Sequence, residues 1–84
     1  MNKKIFQMRG TKKDNFVEYF LEQGAVQEHN CFATARWTAQ IIKVQEVKLG
    51  SLRLPEVVIE MTWDETADEQ FLVDFQMAFL TAGG

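Results

Sequence analysis

The chain has 84 residues, of which 46% are hydrophobic and 25% charged. This length predicts one compact domain over residues 1–84, and the composition excludes disordered, collagen-like and linker classes. The single cysteine, Cys31, excludes an intrachain disulfide and a cysteine-based zinc site. The single histidine, His29, excludes a histidine-rich metal site. We therefore expect neither a metal nor a cofactor.

The net charge of −3 is unevenly distributed along the chain. The first thirteen residues contain no acid and five basic residues, namely Lys3, Lys4, Arg9, Lys12 and Lys13. No Lys or Arg follows Arg53, and that part carries seven acids, namely Glu56, Glu60, Asp64, Glu65, Asp68, Glu69 and Asp74. Attraction between the two ends within one molecule is the simplest interpretation. The alternatives are two separate surfaces or head-to-tail contact between copies.

Neither targeting nor membrane insertion is indicated by the sequence. The charged first residues lack the apolar core of a signal peptide, and no run approaches the ~18 apolar residues of a membrane span. A free cysteine suits a reducing compartment, so the predicted location is cytoplasmic.

The first two elements are a strand and a helix. Alternation over residues 3–9 predicts a strand that ends at Gly10, with Phe6 and Met8 on one face. A helix is predicted over residues 12–23, with Thr11 as its N-cap and Gly24 ending it in a left-handed conformation. Its apolar stripe consists of Phe16, Val17, Phe20 and Leu21.

The middle of the chain is compatible with two predictions of secondary structure. Residues 25–30 are predicted to form a loop. Residues 31–49 alternate as one long strand, although a helix capped by Asn30 also fits the spacing of the apolar residues. Their β-branched residues favour the strand, and the change of phase at Ile41-Ile42 predicts a β-bulge.

The last third of the chain predicts a strand followed by a helix. Gly50-Ser51 suits a turn, and Pro55 indicates a sheet edge or a strand entry. Alternation from Val57 to Trp63 predicts an antiparallel partner for the preceding strand. The second helix is predicted to start at Asp64 or Thr66, where residues 66–69 match a capping box, and to run to Thr81. Its apolar stripe consists of Ala67, Phe71, Leu72, Phe75, Ala78, Phe79, Leu80 and Ala82.

The order of elements predicts a two-layer β-α-β-β-α domain of the α+β class. Two amphipathic helices would pack on one face of a small, mostly antiparallel, three-stranded sheet. The other face would stay open, with apolar side chains at Ile5, Phe32, Ile42 and Val58. An open apolar face on so short a chain predicts a protein partner, of which a second copy in a homodimer is the simplest.

Catalysis and metal binding are not predicted. Cys31 and His29 lie two residues apart, but an inward-facing Cys31 is better explained as a small core residue. The acids around the start of the last helix are explained by helix capping and by attraction to the helix dipole.

The leading functional hypothesis is a small non-enzymatic protein that binds another protein and self-associates. It would act as an acidic regulator or inhibitor of a basic partner. The candidate partner-binding residues are Glu60, Asp64, Glu65, Asp68, Glu69 and Asp74. The alternative is a nucleic-acid-binding module that uses the basic N-terminal strand and turn, although the acidic balance disfavours it. Its candidate anion-binding residues are Arg9, Lys12, Lys13 and Arg36.

A third hypothesis comes from the tail. Gly83-Gly84, after Phe79-Leu80-Thr81-Ala82, resembles the ends of ubiquitin-like and sulfur-carrier proteins, whose C-terminal Gly-Gly is activated for transfer. The resemblance covers the last few residues and implies a carrier role. The fold of those proteins opens with a hairpin before its helix and extends its tail from a strand. Here the predicted helix follows the first strand directly, and the tail follows a helix.

Overall fold

The computed structural model describes residues 1–65 and 67–79. Within them, the elements are β1 (Asn2–Arg9), α1 (Lys13–Glu22), β2 (Val26–Glu28), β3 (Cys31–Ala33), β4 (Trp37–Leu49), β5 (Leu52–Trp63) and α2 (Gln70–Phe79). The strands form one sheet in the order β1-β5-β4-β3-β2, and every neighbouring pair is antiparallel. The predicted α+β class with an antiparallel sheet and two helices is confirmed. The predicted three strands are wrong, because the described residues form five.

β1 follows the predicted alternation. Phe6 is buried and Met8 is half-buried, whereas Ile5 and Gln7 point to the other face and are exposed. The strand pairs with β5 along its whole length, from Asn2 opposite Trp63 to Arg9 opposite Glu56. This pairing places the basic start of the chain beside its acidic second half.

α1 begins one residue later than its predicted cap implies. Lys12, not Thr11, occupies the N-cap position in an extended conformation, and its side chain makes no capping hydrogen bond. The predicted end is confirmed, because Gly24 has a φ of 88° and its N–H donates to the carbonyl of Leu21. Phe16 and Phe20 of the predicted stripe are buried, whereas Leu21 is 45% exposed.

The loop predicted over residues 25–30 is wrong. Val26–Glu28 pairs with Cys31–Ala33 as a hairpin, and His29 in its turn has a positive φ of 57°. The single strand predicted over residues 31–49 is divided by a second turn. There the Thr34 hydroxyl accepts hydrogen bonds from the backbone N–H groups of Arg36 and Trp37.

This second turn resets the alternation. Phe32 was expected on the open face, but it pairs with Ala39 and is fully buried in the core. Cys31, predicted to face inward, neighbours Phe32 along β3 and is therefore on the opposite face. Between Ala33 and Trp37, the turn changes the face of the sheet to which alternate side chains point. The alternation of residue types in the sequence continues across the turn, so the sequence gives no sign of this change.

The β-bulge is confirmed, since the pairing of β4 with β5 shifts register between Ile41 and Lys43. Beyond it the two strands continue as a hairpin closed by Gly50, which has a φ of 62°. Pro55 lies inside β5, opposite Glu46, and therefore does not mark the strand entry. It lies beyond the last residue pair between β1 and β5, where β5 has a neighbouring strand on one side only, as the predicted edge position requires. Because β1 ends opposite Glu56, residues 46–55 form a two-stranded projection. We call this segment the ribbon.

α2 starts later than predicted. Its first residue is Gln70, whose backbone N–H donates to Asp68 Oδ1 at 3.0 Å. Leu72 and Phe75 of the predicted stripe are buried, but Ala78 is exposed. Thr66 of the predicted capping box and the predicted extension to Thr81 lie outside the described residues.

An aromatic cluster joins the helices to the sheet. The ring of Phe75 in α2 lies 5.2 Å from Phe6 in β1 and 5.7 Å from Phe20 in α1. Phe20 continues the cluster to Phe32 and Trp37 at 5.2 and 5.6 Å. Such contacts add to the burial of apolar area, so the rings hold five elements, namely both helices and strands β1, β3 and β4, in one core.

The opposite side of the sheet is lined by residues such as Ile5 and Val58, and we call it the open face. Ile5 is 53% exposed there, whereas the exposed fraction of Val58, which lies between neighbouring strands, is 8%. Ile42 is the extra residue of the bulge and is 46% exposed.

Truncation of Phe75 to alanine is expected to lower the free energy of unfolding by about 3–5 kcal/mol, because it leaves a cavity among rings from both helices and β1. Urea unfolding measures the change. Met77→Ala, on the same helix but 65% exposed, is the matched control and should change stability by less than about 0.5 kcal/mol. Equal effects of the two variants would contradict the packing described.

Candidate functional site

A hydrogen-bonded network lies on the open face where β1 ends. Arg9 Nε donates to Glu56 Oε2 at 2.7 Å, and Gln45 Nε2 donates to Glu56 Oε1 at 2.6 Å. Glu56 is buried, so both of its oxygens depend on these partners. Arg9 thus links β1 to β5, and Gln45 links β4 to β5, which lies between these two strands. This pair directly joins the basic and acidic parts of the chain.

The same network lowers the pKa of the Glu56 carboxyl below its ordinary value. The hydrogen bond from Arg9 is the largest cause and the one from Gln45 the second, while burial acts in the opposite direction. The ionised form of Glu56 is therefore the form that the folded chain favours.

The predicted anion-binding residues do not form one patch. Lys12 and Lys13 start α1, close to Arg9 and the Glu56 end of β5. Arg36 precedes Trp37, which pairs with Trp63 at the other end of β5. Those two ends are roughly 24 Å apart at the rise of an antiparallel strand. The basic turn at Arg9–Lys13 and Arg36 are therefore separate features.

The predicted partner-binding acids are also divided. Glu60 lies in β5 opposite Ile5, on the open face. Glu65 is exposed and lies 3.5 Å from the N-terminal amine of Met1, and Glu69 is exposed beside α2. Asp64, Asp68 and Asp74 line surface depressions that also include Arg36.

One of these depressions is a polar cleft of about 410 Å³ between the turn at Thr34–Trp37 and the start of α2. Trp37 and Phe71 form its apolar floor, with stacked rings 5.9 Å apart. Asp68 caps Gln70, and Asp74 Oδ1 accepts from the Gln70 side chain at 3.0 Å. Within the described residues, the buried indole N–H of the adjacent Trp63 has no hydrogen-bond acceptor. The cleft thus combines acids, one arginine and an aromatic floor.

The end of α2 lies beside the start of α1. The ring of Phe79 lies 4.4 Å from that of Phe16 and 5.2 Å from that of Tyr19. Burial, and secondarily the charge of Asp74, raise the pKa of the Tyr19 hydroxyl. Phe16 follows Lys12 and Lys13 by one helical turn, so residues 80–84 continue from a point close to the basic turn.

The described residues show no group of three or more His, Cys, Asp or Glu side chains arranged to hold a metal ion. Cys31 is half-buried at the start of β3, and His29 lies in the turn before it. In the part of the chain that the structure describes, neither helix is long and apolar enough to cross a membrane.

Comparison with protein families identifies the chain. Residues 4–84 match the family model described as archaeal MoaD-like protein. The chain belongs to the archaeal MoaD-like family. No curated protein sequence matches it. The family match favours the third hypothesis from the sequence, the carrier, over the acidic regulator that was preferred.

Two features of this MoaD-like chain differ from the ubiquitin-like pattern. α1 follows β1 directly, and the Gly-Gly tail comes after helix α2. Both differences were visible in the sequence, where they made the carrier the least favoured of the three hypotheses. The residues on which the carrier role depends, Gly83 and Gly84, lie outside the described residues.

The Arg9–Glu56 pair predicts a pH-dependent stability. Because the folded-state pKa of Glu56 is lowered, its stabilisation is complete above the ordinary glutamate pKa of about 4.3 and is lost as pH falls through the folded value. Glu56→Gln should therefore be less stable than the wild type at neutral pH, with a difference that narrows in acid. Urea midpoints at several pH values measure it. In a double-mutant cycle with Arg9→Gln, the coupling free energy between Arg9 and Glu56 should decrease as the pH falls over the same range. A stability difference between the wild type and Glu56→Gln that does not change with pH would contradict an origin in the ionised carboxylate.

Substitution of Asp68 tests whether its side chain caps helix α2 or is free to serve as one of the predicted partner-binding acids. Asp68→Ala should lower the free energy of unfolding by about 1 kcal/mol, because the N–H of Gln70 loses its acceptor. Asp68→Ser should retain most of that stability, since serine also caps helices. Thermal unfolding distinguishes the two, with Glu69→Ala as the exposed control. Equal stability of all three variants would show that Asp68 has no capping role.

Proposed function

We propose that this chain is a small carrier protein of the sulfur-carrier type, which docks on partner enzymes and is not itself a catalyst. One observation carries the proposal: the family match extends through residue 84, and the matched range ends in Gly83-Gly84. Such families are typically non-catalytic. Their chemistry takes place on the carrier's carboxyl group within the active site of a partner.

The chemistry of glycine supports this role for the tail. Without a Cβ, two successive glycines can adopt almost any backbone conformation and pass through a channel too narrow for other residues. The group carried would be sulfur on the Gly84 carboxyl, where one carboxyl oxygen is replaced by sulfur to give a thiocarboxylate. The proposal therefore requires the Gly84 carboxyl to be free in the mature protein.

The packing of α2 supports a defined starting point for the tail. Phe79, the last described residue, contacts Phe16 and Tyr19 of α1, so the residue from which the tail follows is held in a fixed place. Lys12 and Lys13 lie within a helical turn of that place. These lysines would favour a partner whose entrance for the tail is acidic, since opposite charges speed docking and orient it.

A second function is favoured by the two departures from the ubiquitin-like pattern. A tail that follows a helix suits a binding module at least as well as a carrier. The surface of α1 offers such a module an acidic row, Asp14, Glu18 and Glu22, beside the exposed Leu21. In this second proposal the chain binds a basic protein partner, and Gly83-Gly84 has no chemical role.

The intact mass of the protein from its native host tests the carrier role. We expect a fraction of molecules in which one oxygen is replaced by sulfur, and removal of Gly84 should abolish that fraction. Met77→Ala, an exposed change on α2, should leave it unchanged. A chain that continues beyond Gly84, or a carboxyl that stays unmodified under sulfur-replete growth, would overturn the carrier role and leave the binding module.

A further inference from the structure

The two faces of the ribbon differ sharply in chemistry. Opposed residues in an antiparallel pair share a face, so Val47 lies beside Leu54 and Leu49 beside Leu52. All four are aliphatic. The other face carries Glu46, Lys48, Arg53 and Pro55, and Arg53 Nη1 lies 3.7 Å from Glu46 Oε1. The ribbon is thus amphipathic across its thickness.

The aliphatic side of the ribbon belongs to the open face. Glu56 and Gln45 are opposed and bind each other on the open face with Arg9. Alternation along both strands then places Leu54, Leu52, Val47 and Leu49 on that same face. Leu49 is 48% exposed and Leu52 is 64% exposed, while Val47 and Leu54 are half-buried.

The ribbon lacks the support that the rest of the sheet has. β1 ends opposite Glu56 and β3 pairs with β4 only as far as Gln40, so four strand pairs beyond Glu56 have no third strand. A two-stranded hairpin is marginally stable in water unless its apolar side is covered. Exposed leucines on such a segment therefore indicate an interaction surface.

The charged groups beside the ribbon favour a partner whose contacting surface is uncharged. On the open face, the ionic groups next to the ribbon are Arg9, Glu56 and Lys43, and the first two are paired with each other. A strongly acidic or basic partner would gain little there, in contrast to the acidic row on α1. A second copy of this chain presents the same neutral aliphatic face, and no helix of the described residues lies on that side to obstruct it.

We propose that the aliphatic face of the ribbon is a homodimer interface, packed against the same face of a second copy about a twofold axis. Isologous contacts of this kind are the commonest way in which identical chains associate. Four aliphatic residues per copy are far fewer than the 20–30 per side of a standard interface, so the dimer is weak. This proposal is independent of the carrier role.

Sedimentation equilibrium over a range of protein concentrations tests the interface. The wild type should show a reversible monomer–dimer equilibrium that persists at high salt, because the contact is apolar. Leu49→Lys combined with Leu52→Lys should weaken association about tenfold or more, by placing charges in the contact. Lys48→Ala, on the opposite face of the same ribbon, is the matched control and should dimerise like the wild type.

Hydrogen exchange provides a second measurement. Exchange of the amides in residues 46–55 should slow as the wild-type concentration rises, and it should not do so in the double-lysine variant. Both leucines are substantially exposed in the monomer, so circular dichroism should show an unchanged fold in that variant. A wild type that stays monomeric at every concentration, or a dimer disrupted by Lys48→Ala and not by the lysine pair, would overturn the proposal.

Discussion

The packing of Phe75 among rings from three elements is the constraint on which this domain depends. The ring meets Phe6 from the edge of the sheet and Phe16, Tyr19 and Phe20 from α1. Without these contacts, α2 would have little to hold it, since its other face is exposed. The size of aromatic side chains matters here, because a few of them fill the space between helices and sheet in a chain too short for many core residues.

The same core determines what each end of the molecule can do. At one end, the contact of Phe79 with Phe16 holds this end of α2 close to the lysines that start α1. At the other end, Trp37 stacks on Phe71 beneath the polar cleft that contains Arg36 and Asp68. The basic N-terminal segment and the acidic second half are adjacent in the sheet, so the uneven charge of the sequence is partly neutralised within the fold.

Sequence reasoning succeeded where a pattern was local and uninterrupted. The alternation around Phe6, the helix ending at Gly24 and the bulge at Ile41-Ile42 all follow from side-chain periodicity or glycine chemistry. It failed at Phe32, because the turn organised by Thr34 restores an apparently continuous alternation on either side of a real break. The five-stranded sheet was missed because three-residue strands such as Val26–Glu28 carry almost no periodic signal.

The candidate site was harder to predict from the sequence than the fold. Distance along the chain could not show that Arg36 lies at the far end of the sheet from Lys12, since only the strand pairing sets that separation. The resemblance of Gly83-Gly84 to carrier tails was noted, but the order of the elements made the carrier the least favoured hypothesis. In the structure, helix α1 does follow β1 directly, so the order of elements was predicted correctly at this point and only the weight given to it was wrong.

The bulge at Ile42 has a consequence for how such a chain can change its behaviour. One extra residue in β4 reverses the side to which every following side chain points, and it thereby places Val47 and Leu49 with the leucines of β5. If the same sequence paired in regular register without the bulge, Val47 and Leu49 would point to the side opposite Leu52 and Leu54, and the ribbon would have no aliphatic side. The bulge therefore acts as a selector: it gathers the aliphatic side chains of two strands on one surface, although it lies outside that surface.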